Sequence, residues 1–264
     1  MLLACIIQEP DPAYRAKAKE FVSSHQLADF RRCPALFFKK RQGVVPDEDR
    51  PAYILGRAAH TLILEGRDRF ERQYAFGGPV NPRTGTYFGV NTKAYAEWAV
   101  QQGKPVLTDE QVKLIVSMSS AVRSHQGASA LLSDGVAEGV VRTEYGGLPC
   151  QIRMDWFNPQ AGIVDLKTCD DLTWFESDAR RFNYTHQLAF YRTVLAKVIN
   201  AVPPVHLIAV EKKEPFRCGV WLVAEQALAH CQGENEAALA RLKECFAKDT
   251  WPTGYEERRV FDSI

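Results

Sequence analysis

The order of hydrophobic and polar positions divides the chain into a helical first half and a second half that alternates strands with helices. Residues 13–41 pattern as basic helix, with Ser23-Ser24 as a cap and a stop before Pro34. Ala52 to Glu65 forms an apolar helix closed by Gly66. The stretch 77–89 holds Gly77-Gly78-Pro79, Asn81-Pro82 and Gly85 and reads as a surface loop. Two further helices are predicted over 91–102 and 108–126. In the second, Thr108 and Gln111 have capping-box spacing, and Val112, Ile115, Val116, Met118 and Val122 make a stripe.

The pattern then shortens to strands. Val140-Val141 opens one, Leu148 to Phe157 makes another, and Gly146-Gly147 supplies the hairpin turn between them. Ile163 to Thr168 is a third strand. Helices over about 172–182 and 184–200 follow, then strands Val205 to Val210 and Arg217 to Val223, then a helix over 225–247. This order implies an α/β fold with a central mixed β-sheet flanked by helices and a helical N-terminal part. The expected organisation is one domain: a helical part over about 13–135, a sheet core over about 136–225, and a C-terminal helix and tail over 226–264.

The chain has 264 residues, 46% of them hydrophobic, which is enough for a sizeable core and excludes disorder as the main state. Its 33 basic and 32 acidic residues leave a net charge of +1, so any grip on nucleic acid must be local. No apolar run reaches the length of a membrane helix. Met1 to Ile7 lacks a basic leader and a cleavage site, and is expected to be a first strand or an ordered arm. Seven cysteines without a CxxC point to reduced, mostly buried thiols in a cytoplasmic protein. Neither GxGxxG nor a Walker loop occurs, so no nucleotide is expected.

The chemistry concentrates between Glu138 and Lys167. In a strand alternate residues share a face, so Gln151, Arg153 and Asp155 point one way, and Asp165 and Lys167 share a face on the next strand. Neighbouring strands can bring Asp155, Asp165 and Lys167 to one place, where two carboxylates suit a hard divalent cation. A surface ion pair is the plain alternative for Asp165 and Lys167. Their setting beside Ile163, Val164 and Leu166 argues against it, because charge in mid-sheet is costly unless paired or metal-bound.

Asp155, a gap of ten, and then Asp165-Leu166-Lys167-Thr168 resemble the PD-(D/E)xK nuclease core. Gly147 to Asp155 and Ile163 to Thr168 are similar to strands of the RecE (exonuclease VIII) and lambda-exonuclease-like group. Tyr184 to Tyr191 fits its QxxxY helix, and Gly56-Arg57-Ala58-Ala59-His60 fits the GxxxH helix of RecB-like nucleases. Ser24 to Pro34 also resembles the group, and the match spans roughly residues 20–225.

The resemblance implies two Mg²⁺ ions, with Mn²⁺ able to substitute, held by His60, Asp155, Asp165, the Leu166 carbonyl and an upstream acid. That acid is Glu138, with Glu144 as its rival. Lys167 would orient or deprotonate water. Gln187 and Tyr191 would lie near the DNA backbone, and Ser24, Arg31 and Arg32 near a 5′-phosphate. Arg31-Arg32, Lys39-Lys40-Arg41, Arg180-Arg181 and Lys212-Lys213 are clustered cations that could line a channel. Phe37-Phe38, Trp98 and Trp174 are expected to be core rather than a strand-separating wedge. The spacing of Cys218, Cys231 and Cys245 fits no iron–sulfur cluster.

The implied activity is a 5′→3′ double-strand DNA exonuclease of phage or prophage recombination. It would act as a trimeric or tetrameric ring beside a single-strand annealing protein. An endonuclease, a single-strand nuclease or a non-catalytic DNA-binding domain of the same fold are the other readings.

Overall fold

The computed structural model describes residues 5–46 and 51–261, with backbone alone for 51–53. The first residues of the expected N-terminal strand, Met1 to Ala4, and the charged stretch Asp47 to Arg50 lie outside the described residues.

A short strand β1 (Ile7–Gln8) precedes α1 (Asp11–Ala16). The basic segment then breaks before Pro34 into α2 (Ser24–Arg32) and α3 (Pro34–Arg41). Ser23 and Gln26 form a capping box at the start of α2. Cys33 is extended, as a residue before proline must be, and its sulfur accepts the Leu36 N–H. The expected helix over 52–65 changes character midway. α4 (Pro51–His60) runs into a wider π turn (Thr61–Glu65) that ends at Gly66. Thr61 Oγ1 bonds back to the Arg57 carbonyl at 3.0 Å. The wider turn buries four consecutive residues, Thr61 to Leu64, which an α-helical stripe would not do.

α5 (Arg67–Gln73), β2 (Ala75–Phe76), α6 (Lys93–Gln102), β3 (Val106–Leu107), α7 (Asp109–Ser124) and α8 (Gln126–Leu131) complete the helical half. β2 and β3 pair in parallel as a small ribbon. The loop over 77–89 is closed by a bridge between Val80 and Tyr87. Thr108 and Gln111 make the expected capping box on α7.

The second half contributes β4 (Val136–Tyr145), β5 (Leu148–Asn158), β6 (Gly162–Cys169), α9 (Phe175–Arg181), α10 (Tyr184–Ile199), β7 (Val205–Glu211), β8 (Cys218–Leu222) and α11 (Glu225–Lys248). Gly146 and Gly147 both take positive φ, as a two-residue hairpin turn requires. The six-stranded sheet has the order β1-β4-β5-β6-β7-β8, with β6 and β7 parallel and the other pairs antiparallel. β4 begins four residues earlier than its apolar pair Val140-Val141 suggests, and this brings Glu138 into the sheet.

Two cores cover the two faces. Leu27, Phe30, Phe37, Phe190 and Leu239, from α2, α3, α10 and α11, pack with Ile152, Met154 and Leu207. On the other face Ala59, Leu62, Phe70, Ile115 and Met118 pack with Val164, Leu166 and Ile208. Each fully buried side chain of this size contributes about 1.5–3 kcal/mol. Phe37 is core and Phe38 stacks on Trp251 at 4.4 Å, whereas Trp174 is 64% exposed, against expectation.

Strand alternation fails at one place. Ile152 and Met154 join the first core, but Trp156 packs with the second. In β4, Val141 and Tyr145 join the first core and Ala137 the second. The two breaks face each other: Ala137 pairs with Trp156 and Gly139 with Met154, so Glu138 stands opposite Asp155. Glu138 has φ +55, unusual for a residue with a Cβ. The β5–β6 ladder ends at Trp156 and Val164, so Asp155 and Asp165 stand just beyond the last pair, where the strands separate.

Candidate active site

The divergence of β5 and β6 leaves a cleft into which α4 and α10 also project. His60, the last residue of α4, places Nδ1 3.5 Å from Asp155 Oδ2. Glu138 joins them: one donor atom each from His60, Glu138 and Asp155 lies within 4.8 Å of the others. The Leu166 N–H donates to Asp155 Oδ2 at 2.9 Å and fixes that carboxylate, while the Leu166 carbonyl hydrogen-bonds His60.

Asp165, 1% exposed, lies beside this cluster with Oδ2 2.6 Å from Lys167 Nζ. Gln187 on α10 donates through Nε2 to Asp165 Oδ1 at 3.4 Å and to Tyr191 Oη at 3.1 Å. Its Oε1 accepts from Lys167 Nζ at 3.5 Å. Gln187 and Tyr191 are one turn apart, so a single helix face supplies both.

Electrostatics follow from crowding three carboxylates out of water. Burial, then the Asp155 charge, raises the Glu138 carboxyl to about 8. Burial likewise raises Asp155 and Asp165 against the pull of Lys167. Burial works to lower Lys167, but Asp165 and Asp155 outweigh it and the net shift is upward, so the amine stays charged. His60 falls to about 4 through burial and the nearby Lys167, and is therefore a neutral imidazole with a free lone pair. A neutral imidazole and buried carboxylates that repel one another form a nitrogen and oxygen donor set, with the Lys167 amine already taken up by Asp165. These residues fit a divalent cation.

Glu138 and Glu144 are now separated in space. Glu138 is part of the cluster, and Glu144 is exposed at the far end of the hairpin opposite Pro149. Ser24 is buried on α2 and faces the Tyr191 phenol. Arg31 is turned elsewhere, hydrogen-bonded to Asn235 of α11, and Arg32 is exposed. Of the clustered cations, Lys40 pairs with Asp29, Lys212 with Asp170 and Lys213 with Asp171.

Four neighbours of the site were not singled out from sequence. Arg153 holds Glu138 Oε2 at 2.6 Å and also pairs with Asp11 of α1. Its strand parity with Asp155 was a usable signal. The Tyr184 ring lies 4.7 Å from Lys167 Nζ, and its spacing to Gln187 and Tyr191 places it on their helix face. Phe182 stacks on Tyr184 at 5.9 Å and is 51% exposed, with the Arg181 guanidinium 4.8 Å from its ring centroid. His25 on α2 is accessible to solvent yet surrounded by protein, and this crowding and then Lys167 lower its pKa. No sequence pattern marked it.

Among solved structures, a protein from Eubacterium rectale proposed to be an exonuclease is similar over 98% of this chain and 96% of its own, with a TM-score of 0.70 and 16% identity. At that identity the likeness is one of fold. Among curated proteins no sequence matches. The model of one family, described as a PDDEXK-like domain of unknown function (DUF3799), matches residues 23–262. That match spans β4 to β8 of the sheet and the cleft residues, so the PD-(D/E)xK nuclease core expected from the motifs is what this chain folds into, and the protein belongs to the PDDEXK-like DUF3799 family.

Proposed function

We propose that the protein is a metal-dependent deoxyribonuclease that digests duplex DNA from its ends. The observation that carries this is the meeting of His60, Glu138 and Asp155 with the Asp165–Lys167 pair where β5 and β6 part. His60, Asp155 and Glu138, with Asp165 and the Leu166 carbonyl beside them, would hold divalent cations, Mg²⁺ by preference and Mn²⁺ as a substitute. Bound there, such cations activate water and neutralise charge on a phosphodiester.

The remaining chemistry belongs to the chain. Lys167, kept protonated by Asp165, presents a fixed positive charge to the attacked phosphate and orients the water. Gln187 holds the Lys167 amine and the Asp165 carboxylate in register. Arg153 holds Glu138 toward the cluster. Water adds to phosphorus, the bond to the 3′-oxygen breaks, and that oxygen leaves with a proton. The exposed Phe182 ring, beside the half-buried Tyr184 that touches Lys167, suits a nucleobase, since every base offers a π face.

The finer reading is a 5′→3′ exonuclease of phage or prophage recombination, acting as a homo-oligomeric ring and leaving 3′ strands for an annealing protein. The order of the motifs supports it. The test is digestion of linear and covalently closed circular duplex with Mg²⁺, Mn²⁺ or EDTA. Loss of linear DNA alone, and only with metal, is expected. Cutting of closed circles indicates an endonuclease instead, and binding without cleavage in either metal refutes the catalytic reading. End-labelled duplex carrying a 5′-phosphate or a 5′-hydroxyl tests polarity.

A further inference from the structure

α10 and α11 pack side by side, and a second set of ligating side chains lies between them, apart from the His60 cluster. His186 of α10 and Cys231 and Glu234 of α11 bring an imidazole nitrogen, a sulfur and a carboxylate oxygen within 4.8 Å of one another. Cys231 and Glu234 are three residues apart, so one helix face presents both. His186 Nε2 is already in contact with Glu234 Oε2. His230, one turn before Glu234, has its exposed ring 3.7 Å from the other carboxylate oxygen.

The packing holds this set in place. Asn235, buried, donates to the His186 carbonyl at 2.9 Å and accepts from Arg31 of α2. Three helices are therefore locked together around the donors, with Cys231 buried and Glu234 open to solvent as a path of entry. We propose that His186, Cys231 and Glu234, with His230 or water completing the shell, bind a thiophilic divalent cation of the zinc class.

Mixed nitrogen, sulfur and oxygen donors suit Zn²⁺ and are poor ligands for Mg²⁺, so this site and the His60 site select different ions. Metal binding releases the Cys231 proton, and the thiolate and the Glu234 carboxylate then balance the two charges of a divalent cation. The consequence reaches the cleft, because His186 is the residue before Gln187. A cation held there pins the first turn of α10, and with it the amide that contacts Asp165 and Lys167.

Co²⁺ titration of the full wild-type chain tests the proposal without any cleavage assay. A sulfur-to-cobalt charge-transfer band appears only when a thiolate binds, and none of His60, Glu138, Asp155 or Asp165 supplies sulfur. The expected result is a band that saturates at one ion per chain and is displaced by Zn²⁺. It should vanish in Cys231→Ser and persist in His60→Ala. His186→Ala and Glu234→Gln keep the thiol and should each weaken cobalt binding at least about tenfold. Absence of the band in wild type, its survival in Cys231→Ser, or unshifted titrations in both His186→Ala and Glu234→Gln would overturn the assignment.

Discussion

Replacing Lys167 with alanine should cost both cleavage and stability, and the stability loss should depend on pH in a calculable way. Lys167 Nζ lies 2.6 Å from a carboxylate that is 1% exposed. At an effective dielectric of about 20 the attraction is about 6 kcal/mol, much of it offset by removing both charges from water. Deleting one member of such a pair typically costs about 3–5 kcal/mol. The orphaned Asp165 can escape by taking a proton. From its ordinary value of 3.8, neutralisation at about pH 7 costs about 4 kcal/mol, which caps the loss.

The sign follows from proton binding. In the variant the folded state carries a proton on Asp165 that the unfolded state has released above 3.8, so the variant loses stability as pH rises. The slope should approach about 1.4 kcal/mol per pH unit until ionised Asp165 becomes the lesser cost. Urea unfolding in EDTA from about pH 5 to about pH 8 reads this directly. Cleavage of linear duplex should fall about 10²–10⁴-fold, with cobalt or manganese binding retained. A variant as stable as wild type at both pH extremes, or one digesting DNA at the normal rate, would show that Lys167 is not buried against Asp165 as a working charge.

Three further outcomes are expected. Because Glu138 titrates near 8 when folded and its unfolded value is 4.5, metal-free protein should lose stability as pH rises through that window; added Mn²⁺ should raise the melting temperature more at about pH 9 than at about pH 6, and an equal rise would count against Glu138 as a ligand. Glu138→Gln should abolish most metal-dependent cleavage, while Glu144→Gln should leave it unchanged, as kinetics of the two purified variants would show; equal losses would remove the distinction drawn from their positions. Phe182→Ala should raise KM about 5- to 100-fold with kcat nearly intact, and Phe182→Trp should restore it, since base stacking contributes about 1–3 kcal/mol; an unchanged KM would remove the stacking role.

The chain's sequence by itself determined the mixed α/β architecture, the hairpin at Gly146-Gly147, the cap at Ser23-Ser24, the capping box at Thr108 and the identity of the motif residues. These are local facts: turns need particular backbone angles, caps need particular side chains, and Asp165-Leu166-Lys167 betrays itself by placing charge among apolar neighbours. Helical spacing puts Gln187 and Tyr191 on one face, but their place at the site was implied only by the resemblance to the QxxxY helix. Only the tertiary structure decided the rest. Glu138 and Glu144 have equal strand parity, and nothing local tells which end of β4 the cleft occupies. Alternation along β5 and β4 is a rule for regular strands, and it fails at Asp155 and Glu138, where the sheet opens. Arg31 read as a DNA-facing cation, but packing against α11 turned it to Asn235. The His186–Cys231–Glu234 cluster joins His186 to two residues 45 or more positions further on, and their meeting depends on how two helices pack, a long-range contact that no spacing rule encodes.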